Sequence, residues 1–517
     1  MSEPQPDRPV ADMVFGIETE YGISLDLLPG QEPIHPMHLS NIVVRAWTEA
    51  TQPSRARWDY ATESPLRDLR GFDVGRPHAH PDQLTDVDAG MANVVLTNGA
   101  RFYVDHAHPE YSGPEVTTAR DAVVWDRAGD EIMVDAARRA TEALGQRVRI
   151  HKNNTDGKGA SYGTHENYLL DRTTPFHRIV TRFSGFLVSR QVVTGAGRVG
   201  LGQASEVAGF QISQRADYFE AEVGLETTMN RPVINTRDEP HSDARRHRRL
   251  HVITGDATRA EWSTWLKVGT AALVLRALEA DLLSDIPPLA EPVTAMHRIS
   301  HDPGCTITVP LADGTDTTAV SLQYRYLEAC RTLVNHGPFG SEAQYREGLT
   351  LLDAWQEVLD GLARDPYELA DRLEWVAKLR LLESYRSRDG LDWDSPKLAM
   401  IDLQFSELDP TRGLGSALER KGRLRRITSD ADVAAAVDRP PADTRAWFRG
   451  EMMRRHGAAV VAASWDSLIL DVPGRRALQR LELLDPLRHD RAETEPLLDG
   501  AESLTQLVSL WSPTSIQ

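Results

Sequence analysis

The chain has 517 residues with 76 acidic and 58 basic side chains, so its formal charge is −18 at neutral pH. This length allows a large core and more than one domain, and the acidic balance argues against a general nucleic-acid binder. Cys305 and Cys330 do not form a C-x-x-C motif, so neither a zinc site nor a disulfide framework is expected. Residues 1–12 lack a signal-peptide layout, and no apolar run reaches the roughly 20 residues that cross a bilayer. We expect a soluble, cytoplasmic protein.

The apolar pattern predicts mixed α and β structure. In chain order, it first predicts a strand over residues 13–24 and two extended stretches within 92–105, separated by a turn at Asn98-Gly99. A helix over 130–144, which ends at Gly145, and strands over 147–152 and 166–170 are predicted next. Three further helices are predicted over 262–283, 341–360 and 366–387. Helices that cover one face of a sheet are typical of an α+β fold. The pattern breaks at Asp409-Pro410, and we expect a large domain over residues 1–435 and a small C-terminal domain over 436–517.

Residues 54–88 form a long stretch with little periodicity, dense in Asp, Arg, Pro, Gly and His. Such a stretch inside a domain is usually functional or disordered. It contains more apolar material than a linker normally has, including Trp58, Tyr60 and Leu69. We therefore expect a functional, partly mobile loop.

Two carboxylates lie two residues apart on the first predicted strand. Because side chains alternate between the faces of a strand, Glu18 and Glu20 share one face with Gly16 and Gly22, which leave open space beside them. Adjacent like charges are costly unless a cation neutralises them, and Mg²⁺ takes oxygen ligands. The pattern is equally consistent with a solvated edge strand.

A second strand places Arg101, Tyr103 and Asp105 on one face. An arginine can bind phosphate oxygens bidentately, and Asp105 lies at the end of the strand, where reactive groups are common. Glu110 follows in a turn bent by Pro109 and is a further possible metal ligand. The alternative is a strand end held by salt bridges.

Residues 151–167 and 211–251 contain further polar clusters. Gly157-Lys158-Gly159 is only loosely similar to a phosphate-binding loop and is not a Walker A motif. His165 alternates outward on a predicted strand. The arginines between 211 and 251 suit a polyphosphate site, although the run from Arg245 to Arg249 is also consistent with a solvated helix face.

Several segments resemble the pupylation enzymes, that is, the Pup ligases and the Pup deamidase/depupylases. These segments are residues 16–22 (GIETEYG), 98–105 (NGARFYVD), 108–111 (HPEY), 409–414 (DPTRGL) and 463–467 (ASWDS). The stretch at 54–88, with Trp58-Asp59-Tyr60, looks like the insertion of the deamidase/depupylase branch. The sequence Asp105-His106-Ala107-His108-Pro109 also resembles that branch. The resemblance implies an α+β fold related to glutamine synthetase, with a curved, mostly antiparallel sheet packed by helices and a small C-terminal domain.

The resemblance also implies roles for individual residues. Asp105 matches the nucleophile or base. The family's ligands of one Mg²⁺ correspond to Glu18, Tyr103 and Glu110 in this sequence. Its ligands of a second metal ion correspond to Glu20, His165 and His251. Its nucleotide-binding residues correspond to Arg101, Gly113, Arg215, Arg237 and Trp465.

The implied activity is that of an amidohydrolase that binds ATP and Mg²⁺ without consuming ATP in each cycle. It would convert the C-terminal Gln of Pup to Glu and cut the isopeptide bond between that Glu and a substrate Lys. Its partners would be Pup and pupylated proteins, with a link to the bacterial proteasome and none to nucleic acid or membranes. Since Pup is acidic, the run from Arg245 to Arg249 is our candidate for its docking surface.

Two alternatives remain at this stage. A Pup ligase would consume ATP to form the same isopeptide bond, and the 54–88 insertion argues against it. A non-catalytic adaptor would hold ATP and Pup, and the presence of Asp105 with both Glu18 and Glu20 argues against that.

Overall fold

The structure is a computed structural model that describes residues 12–52, 56–74, 92–337 and 339–511. Its strands are β1 (Phe15–Glu20), β2 (Gly22–Leu25), β3 (Arg57–Trp58), β4 (Arg67–Asp68), β5 (Phe72–Asp73), β6 (Asn93–Val95), β7 (Arg101–Asp105), β8 (His108–Ser112), β9 (Val148–His151), β10 (Thr164–Asp171), β11 (Arg198–Leu201), β12 (Val207–Gln211), β13 (Phe219–Gly224), β14 (Arg231–Asn235), β15 (His247–Val252), β16 (Thr308–Pro310), β17 (Asp316–Thr318), β18 (Val460–Ala463), β19 (Ser467–Leu470) and β20 (Gln479–Glu482).

The helices are α1 (Pro36–Thr51), α2 (Ala119–Leu144), α3 (Phe176–Ser189), α4 (Gln191–Thr194), α5 (Glu261–Glu279), α6 (Pro292–Ser300), α7 (Ala319–Asn335), α8 (Glu342–Arg364), α9 (Glu374–Asp389), α10 (Pro396–Ser406), α11 (Leu414–Arg420), α12 (Asp430–Asp438), α13 (Ala446–His456), α14 (Arg491–Gly500) and α15 (Leu504–Leu510). The predicted α+β class is confirmed. None of the helices in the described ranges is long and apolar enough to cross a membrane.

The central sheet has the order β15-β10-β1-β8-β7-β6, and all its neighbouring strands run antiparallel. Its register sets the candidate site, because Glu18 lies opposite His165 and Glu20 lies opposite Glu110. Tyr103 also lies opposite Glu110 on the neighbouring hairpin. The predicted alternation on β1 is confirmed: Phe15 and Ile17 enter the largest core cluster, which helices α3, α5, α7 and α8 complete.

The predicted strand over residues 13–24 is two strands. After Glu20 the chain leaves the central sheet, and β2 pairs with β9 instead. Gly22 therefore does not leave open space beside the carboxylates, since a Cβ there would lie 2.5 Å from the hydroxyl of Tyr162. Gly16 alone keeps the predicted position, on the wall of the cavity described below.

Helix α2 begins well before the predicted residue 130. Thr118 caps its first turn by accepting a hydrogen bond from the backbone N–H of Asp121. The helical turns before residue 130 contain Asp126, which is buried and pairs with the buried Lys152. Buried polar residues of this kind interrupt the apolar pattern from which the helix was predicted. The predicted end is confirmed, since Gly145 adopts the left-handed conformation at φ 66°.

The other predicted elements differ mainly at their ends. The strands at β9 and β10 and the helices α5 and α8 are confirmed within a few residues. The helix predicted over 366–387 is instead a 3-10 turn at Pro366–Leu369 followed by α9. Both cysteines are free and buried.

The C-terminal segment contributes a second sheet, ordered β20-β19-β18-β3. Its edge strand β3 comes from the 54–88 insertion and runs parallel to β18. The described part of the insertion also contacts the segment that follows β14, because the N–H of Leu69 donates to the carbonyl of Thr236 at 2.7 Å. Residues 54–55 and 75–88 lie outside the described residues, so the expected mobility stays a prediction.

Candidate active site

The polar face of the central sheet lines a cavity of about 460 Å³. The sheet, the described part of the insertion and the C-terminal segment all contribute to its wall. Of the predicted site residues, the wall contains Glu18, Arg101, Tyr103, Asp105, Glu110, Gly113, His165, Arg237, His251 and Trp465. Glu20 lies beside this set, and Arg215 lies outside the wall.

Glu18 forms the first cluster of possible metal ligands with His165 and His251, whose ligand atoms lie within 4.8 Å of one another. His165 Nδ1 lies 3.1 Å from Glu18 Oε1, and His251 Nδ1 lies 3.6 Å from it. Burial raises the pKa of Glu18, but the hydrogen bond from His165 and the nearby cationic groups outweigh it and hold the pKa well below its usual range. Burial beside Arg249 lowers the pKa of His251, so its imidazole is neutral and able to bind a metal.

Glu20 forms the second cluster, with Asp105 and Glu110. Glu20 accepts a hydrogen bond from the N–H of Gly163 at 2.9 Å, and its other oxygen lies 3.3 Å from His108 Nδ1. Burial raises the pKa of Glu20, but His108 and the neighbouring charges lower it to about 2. Asp105 ends β7 with 39% of its side chain exposed, so a substrate can reach it.

Glu110, in the second cluster, lies close to the first cluster through Ser112. It lies on β8, not in a turn as predicted, because β8 includes Pro109 and pairs with β7. The hydroxyl of Ser112 lies 3.4 Å from carboxylate oxygens of both Glu110 and Glu18. Burial, and then the charges of Asp105, Glu18 and Glu20, raise the pKa of Glu110 well above its usual range. The site thus concentrates more negative charge than it neutralises.

The clusters divide the predicted metal ligands differently from the family pattern. Glu18 groups with the two histidines, whereas the resemblance placed Glu20 with them. Tyr103 remains near both sets, with its hydroxyl 3.5 Å from that of Ser112. Burial and the charge of Glu110 raise the pKa of Tyr103 well above its usual range, so it stays a neutral phenol.

Arg101 is held between two aromatic rings. Its guanidinium carbon lies 3.8 Å from the ring centroid of Tyr103 and 4.0 Å from that of Trp58. Its Nε donates to Asn93 Oδ1 at 2.9 Å, and the indole N–H of Trp58 donates to Glu63 at 2.6 Å. The insertion therefore fixes a cation on the wall of the cavity.

Arg237 and Arg249 form a second cationic group on the cavity wall. Arg237 Nε lies 3.8 Å from Glu239 Oε2, and Arg249 lies 3.6 Å from the same oxygen. Arg215 is fully buried outside the wall and donates to the carbonyl of Ile253 at 2.5 Å. Burial, and then the charge of Arg231, lower the pKa of Arg215 to about 9.

The C-terminal segment reaches the cavity through Trp465, whose ring packs against Trp58 at 5.4 Å between centroids. Beside it, the buried guanidinium groups of Arg445 and Arg449 pair with Glu115. Burial raises the pKa of Glu115, but these arginines lower it to about 2. Gly113 lies nearby on the wall, where a Cβ would meet the carbonyl oxygen of Ile17 at 3.2 Å.

The run from Arg245 to Arg249 is not one surface. Arg245 and Arg246 are exposed in the turn before β15, whereas Arg248 is buried and donates to the carbonyl of Thr174. Arg249 faces the cavity and donates to Asn167. The expectation of a continuous basic docking surface is therefore wrong, and so is that of a solvated helix face, because strand alternation separates these side chains.

Sequence reasoning missed several residues of the site. Arg249 is in phase with His251 on β15, and that two-residue spacing was the available signal. The residues Glu63, Asn93, Glu115, Glu239 and Arg445 had no comparable signal, because long-range packing brings them to the cavity.

The chain is similar to several known proteins. A depupylase of Acidothermus cellulolyticus is 52% identical over 501 residues, which cover 96% of this chain and 98% of that protein. A Pup deamidase/depupylase of Mycolicibacterium smegmatis is 50% identical over 497 residues, with coverage of 96% and 98%. The crystal structure of the complex between Pup and its ligase PafA matches with a TM-score of 0.78 and 31% identity, over 98% of this chain and 93% of that one. A family model described as Pup-ligase protein matches residues 13–469. The chain belongs to this Pup-ligase family.

Proposed function

We propose that this chain is an ATP- and Mg²⁺-dependent amidohydrolase that deamidates the C-terminal Gln of Pup and cleaves the isopeptide bond of pupylated proteins. One observation supports it above all: the accessible Asp105 lies in one cluster with Glu20 and Glu110, beside a cavity whose wall presents Arg101 and Arg237. A reactive carboxylate next to a site for metal and phosphate is what amide chemistry at a γ-carbonyl requires.

Sequence similarity favours hydrolysis over ligation. Identity is 52% and 50% to the two enzymes named for depupylation, whereas Pup–protein ligases of Acidimicrobium ferrooxidans and Micrococcus luteus are 39% and 37% identical. The described part of the insertion also holds Arg101 through Trp58. Pup and pupylated proteins are the partners we propose, together with a cytoplasmic location and a link to the bacterial proteasome.

The chemistry of the donor sets fits the proposed cofactors. The cluster of Glu20, Asp105 and Glu110 offers only oxygen ligands, which Mg²⁺ prefers. The cluster of Glu18, His165 and His251 suits a second divalent ion, and Tyr103 lies within reach of both. When bound, Mg²⁺ supplies positive charge that offsets these carboxylates and the phosphates of ATP. Arg101, Gly113, Arg215, Arg237 and Trp465 are the nucleotide contacts we propose, and ATP is not consumed in each cycle.

Asp105 has two possible roles at the γ-carbonyl carbon. As a nucleophile, its carboxylate oxygen bonds to that carbon, the C–N bond breaks, and the leaving nitrogen takes a proton; water then hydrolyses the acyl intermediate. As a base, Asp105 takes a proton from the water that attacks. Both routes give a Glu side chain and a free amine or ammonia from an amide and one water.

Two structural expectations remain part of the proposal. One is the relationship of the fold to glutamine synthetase, which the antiparallel central sheet supports. The other is a domain boundary near residue 435, after which α13 begins a separate hydrophobic cluster. In that arrangement, the C-terminal domain closes one side of the nucleotide site through Trp465.

Mass spectrometry tests the activity directly. The protein is incubated with Pup ending in Gln, Mg²⁺ and either ATP or a non-hydrolysable analogue. We expect a shift of about +1 Da in Pup and, with a pupylated protein, release of the intact substrate. Formation of new isopeptide bonds from Pup ending in Glu, without deamidation, would instead identify a ligase. Binding of Pup and ATP without turnover would identify an adaptor.

A further inference from the structure

Two buried arginines lie beside Glu20 without forming ion pairs. Arg215 is 1% exposed and Arg231 is 8% exposed. Their hydrogen bonds go to backbone carbonyls and to one hydroxyl, and no carboxylate of the described residues lies within salt-bridge distance of either one. By contrast, the equally buried Arg190 and Arg449 are each paired with a glutamate.

Both arginines bind the same residue. Arg231 Nη2 donates to the carbonyl of Ser161 at 2.8 Å, and Arg215 Nε lies 3.4 Å from the hydroxyl of Ser161. Ser161 lies two residues before Gly163, whose N–H donates to Glu20 at 2.9 Å. The two guanidinium groups are therefore placed next to the Glu20 cluster by one short segment of chain.

Each guanidinium keeps one terminal nitrogen available. Arg231 uses Nε on the carbonyl of Thr227 and Nη2 on Ser161, while Arg215 uses Nη1 on the carbonyl of Ile253 and Nε on Ser161. In the described part of the chain, Arg231 Nη1 and Arg215 Nη2 have no hydrogen-bond partner. Buried cations close to one another are costly without a counterion, so these donors indicate a site for an anionic ligand group.

We propose that Arg231, supported by the charge of Arg215, binds the α-carboxylate of the C-terminal residue whose γ-amide is cut. The proposal rests on the function proposed above. In a C-terminal Gln the α-carboxylate carbon is four C–C bonds, about 5 Å, from the amide carbon. The ligand atoms of Glu20 and Asp105 lie within 4.8 Å of each other, and the arginine pair lies beside Glu20. One substrate residue is therefore long enough to place its amide carbon at Asp105 and its α-carboxylate at the arginine pair.

A carboxylate fits Arg231 better than a phosphate of the nucleotide does. Arg101 and Arg237 line the nucleotide-sized cavity, whereas Arg231 does not. Arg231 Nη1, together with the second N–H of Nη2, offers the two parallel donors that bind a carboxylate bidentately. An internal Gln carries no α-carboxylate, so this contact makes the enzyme select a chain end. Arg215, which is buried beside Arg231, adds positive potential at the carboxylate.

The test compares two forms of Pup that end in Gln, one with a free α-carboxylate and one with an α-carboxamide. For the wild-type protein we expect kcat/KM for γ-deamidation to be on the order of 10- to 100-fold higher for the free acid. In Arg231→Gln we expect this ratio to fall to about 1, with the amidated form little affected. Lys158→Gln, an exposed cation on the same segment, is the matched control and should keep the wild-type ratio.

Arg231→Lys guards against a variant that fails to fold. Lysine keeps the charge but lacks the two parallel donors of the guanidinium group. The ratio of kcat/KM for the free acid to kcat/KM for the α-carboxamide should therefore fall several-fold below that of the wild type. A ratio that is unchanged in Arg231→Lys or Arg231→Gln would overturn the inference, and an accompanying rise in KM for ATP would assign Arg231 to phosphate. Equal wild-type rates on both peptides would also overturn it. A wild-type protein inactive on both peptides would overturn the proposed function as well.

Discussion

The guanidinium of Arg101 stacks on the indole of Trp58, with its central carbon 4.0 Å from the ring centroid. The ring centroid of Tyr103 lies 3.8 Å from the same carbon. These contacts join the insertion to the strand that ends in Asp105, and Arg101 lines the cavity.

Arg101→Lys should weaken nucleotide binding, because lysine keeps the charge but loses the stacking and the planar fork. We expect the Kd for ATP to rise roughly 3- to 30-fold, which corresponds to the loss of a cation–π contact. Calorimetric titration measures it. Trp58→Ala should produce a similar rise that does not add to that of Arg101→Lys. Arg138→Lys, on the exposed face of α2, is the control; full additivity of the first two changes would contradict the stacking argument.

Asp105→Ala should lower kcat for deamidation by about 10²- to 10⁴-fold, the range expected for loss of a catalytic acid–base or nucleophilic group. Because 39% of the Asp105 side chain is exposed, the melting temperature should change little. Single-turnover kinetics with Pup ending in Gln check the rate. Substantial activity in Asp105→Glu favours a base over a nucleophile, and near-wild-type activity in Asp105→Ala would remove Asp105 from the mechanism.

Mg²⁺ should raise the melting temperature of the protein in the absence of ATP. The high pKa of Glu110 arises from burial and from the charges of Asp105, Glu18 and Glu20, which a bound cation offsets. At a concentration of 100 times Kd, the stabilisation is about 2.7 kcal/mol. Glu110→Gln removes a carboxyl group whose ionisation these neighbours disfavour and which a bound cation would stabilise, so the metal-free variant should melt higher than the metal-free wild type and respond less to Mg²⁺. Sodium chloride at equal ionic strength is the control, and an identical response of both proteins to Mg²⁺ would argue against the site.

Glu115 should make stability depend on acid pH. Arg445 and Arg449 lower its folded-state pKa to about 2, against 4.5 as the ordinary value. A depressed carboxylate pKa stabilises the fold above pH 4.5, and the contribution is lost as the pH falls toward 2. At pH 7 we expect this contribution to be about 3 kcal/mol.

Urea unfolding of wild type and Glu115→Gln at several pH values measures this contribution. The difference in unfolding free energy between the two proteins should be largest at neutral pH and should shrink below pH 4.5. Glu142→Gln, on an exposed part of α2, should show no such dependence. A difference that grows as the pH falls would have the wrong sign for this pair.

The local pattern of the sequence predicted the strands of the site well. The alternation at Glu18 and Glu20, and at Arg101, Tyr103 and Asp105, follows from strand geometry alone, and the structure places both sets on one face. The division of ligands between two clusters did not follow, because it depends on which strands are neighbours. Strand order is a property of the whole chain.

Buried polar groups caused the remaining errors. Asp126 and Lys152 pair inside the core, so the start of α2 shows no clean apolar period. Arg248 and Arg249 lie on a strand with buried and half-buried positions, although a run of arginines is typical of an exposed surface. In each case the hydrogen-bond partner lies elsewhere in the sequence: Lys152 for Asp126, the carbonyl of Thr174 for Arg248 and Asn167 for Arg249.

The pairing of β3 with β18 joins segments about 400 residues apart along the chain. During synthesis, Trp58 leaves the ribosome long before Ala463 exists, so the sheet that seats this tryptophan can form only near the end of translation. Until this sheet forms, Trp58 is not held against Arg101 on that side of the cavity. The chain therefore cannot complete the cavity wall before these strands are made, and loss of the last strands should uncover the nucleotide site that we propose.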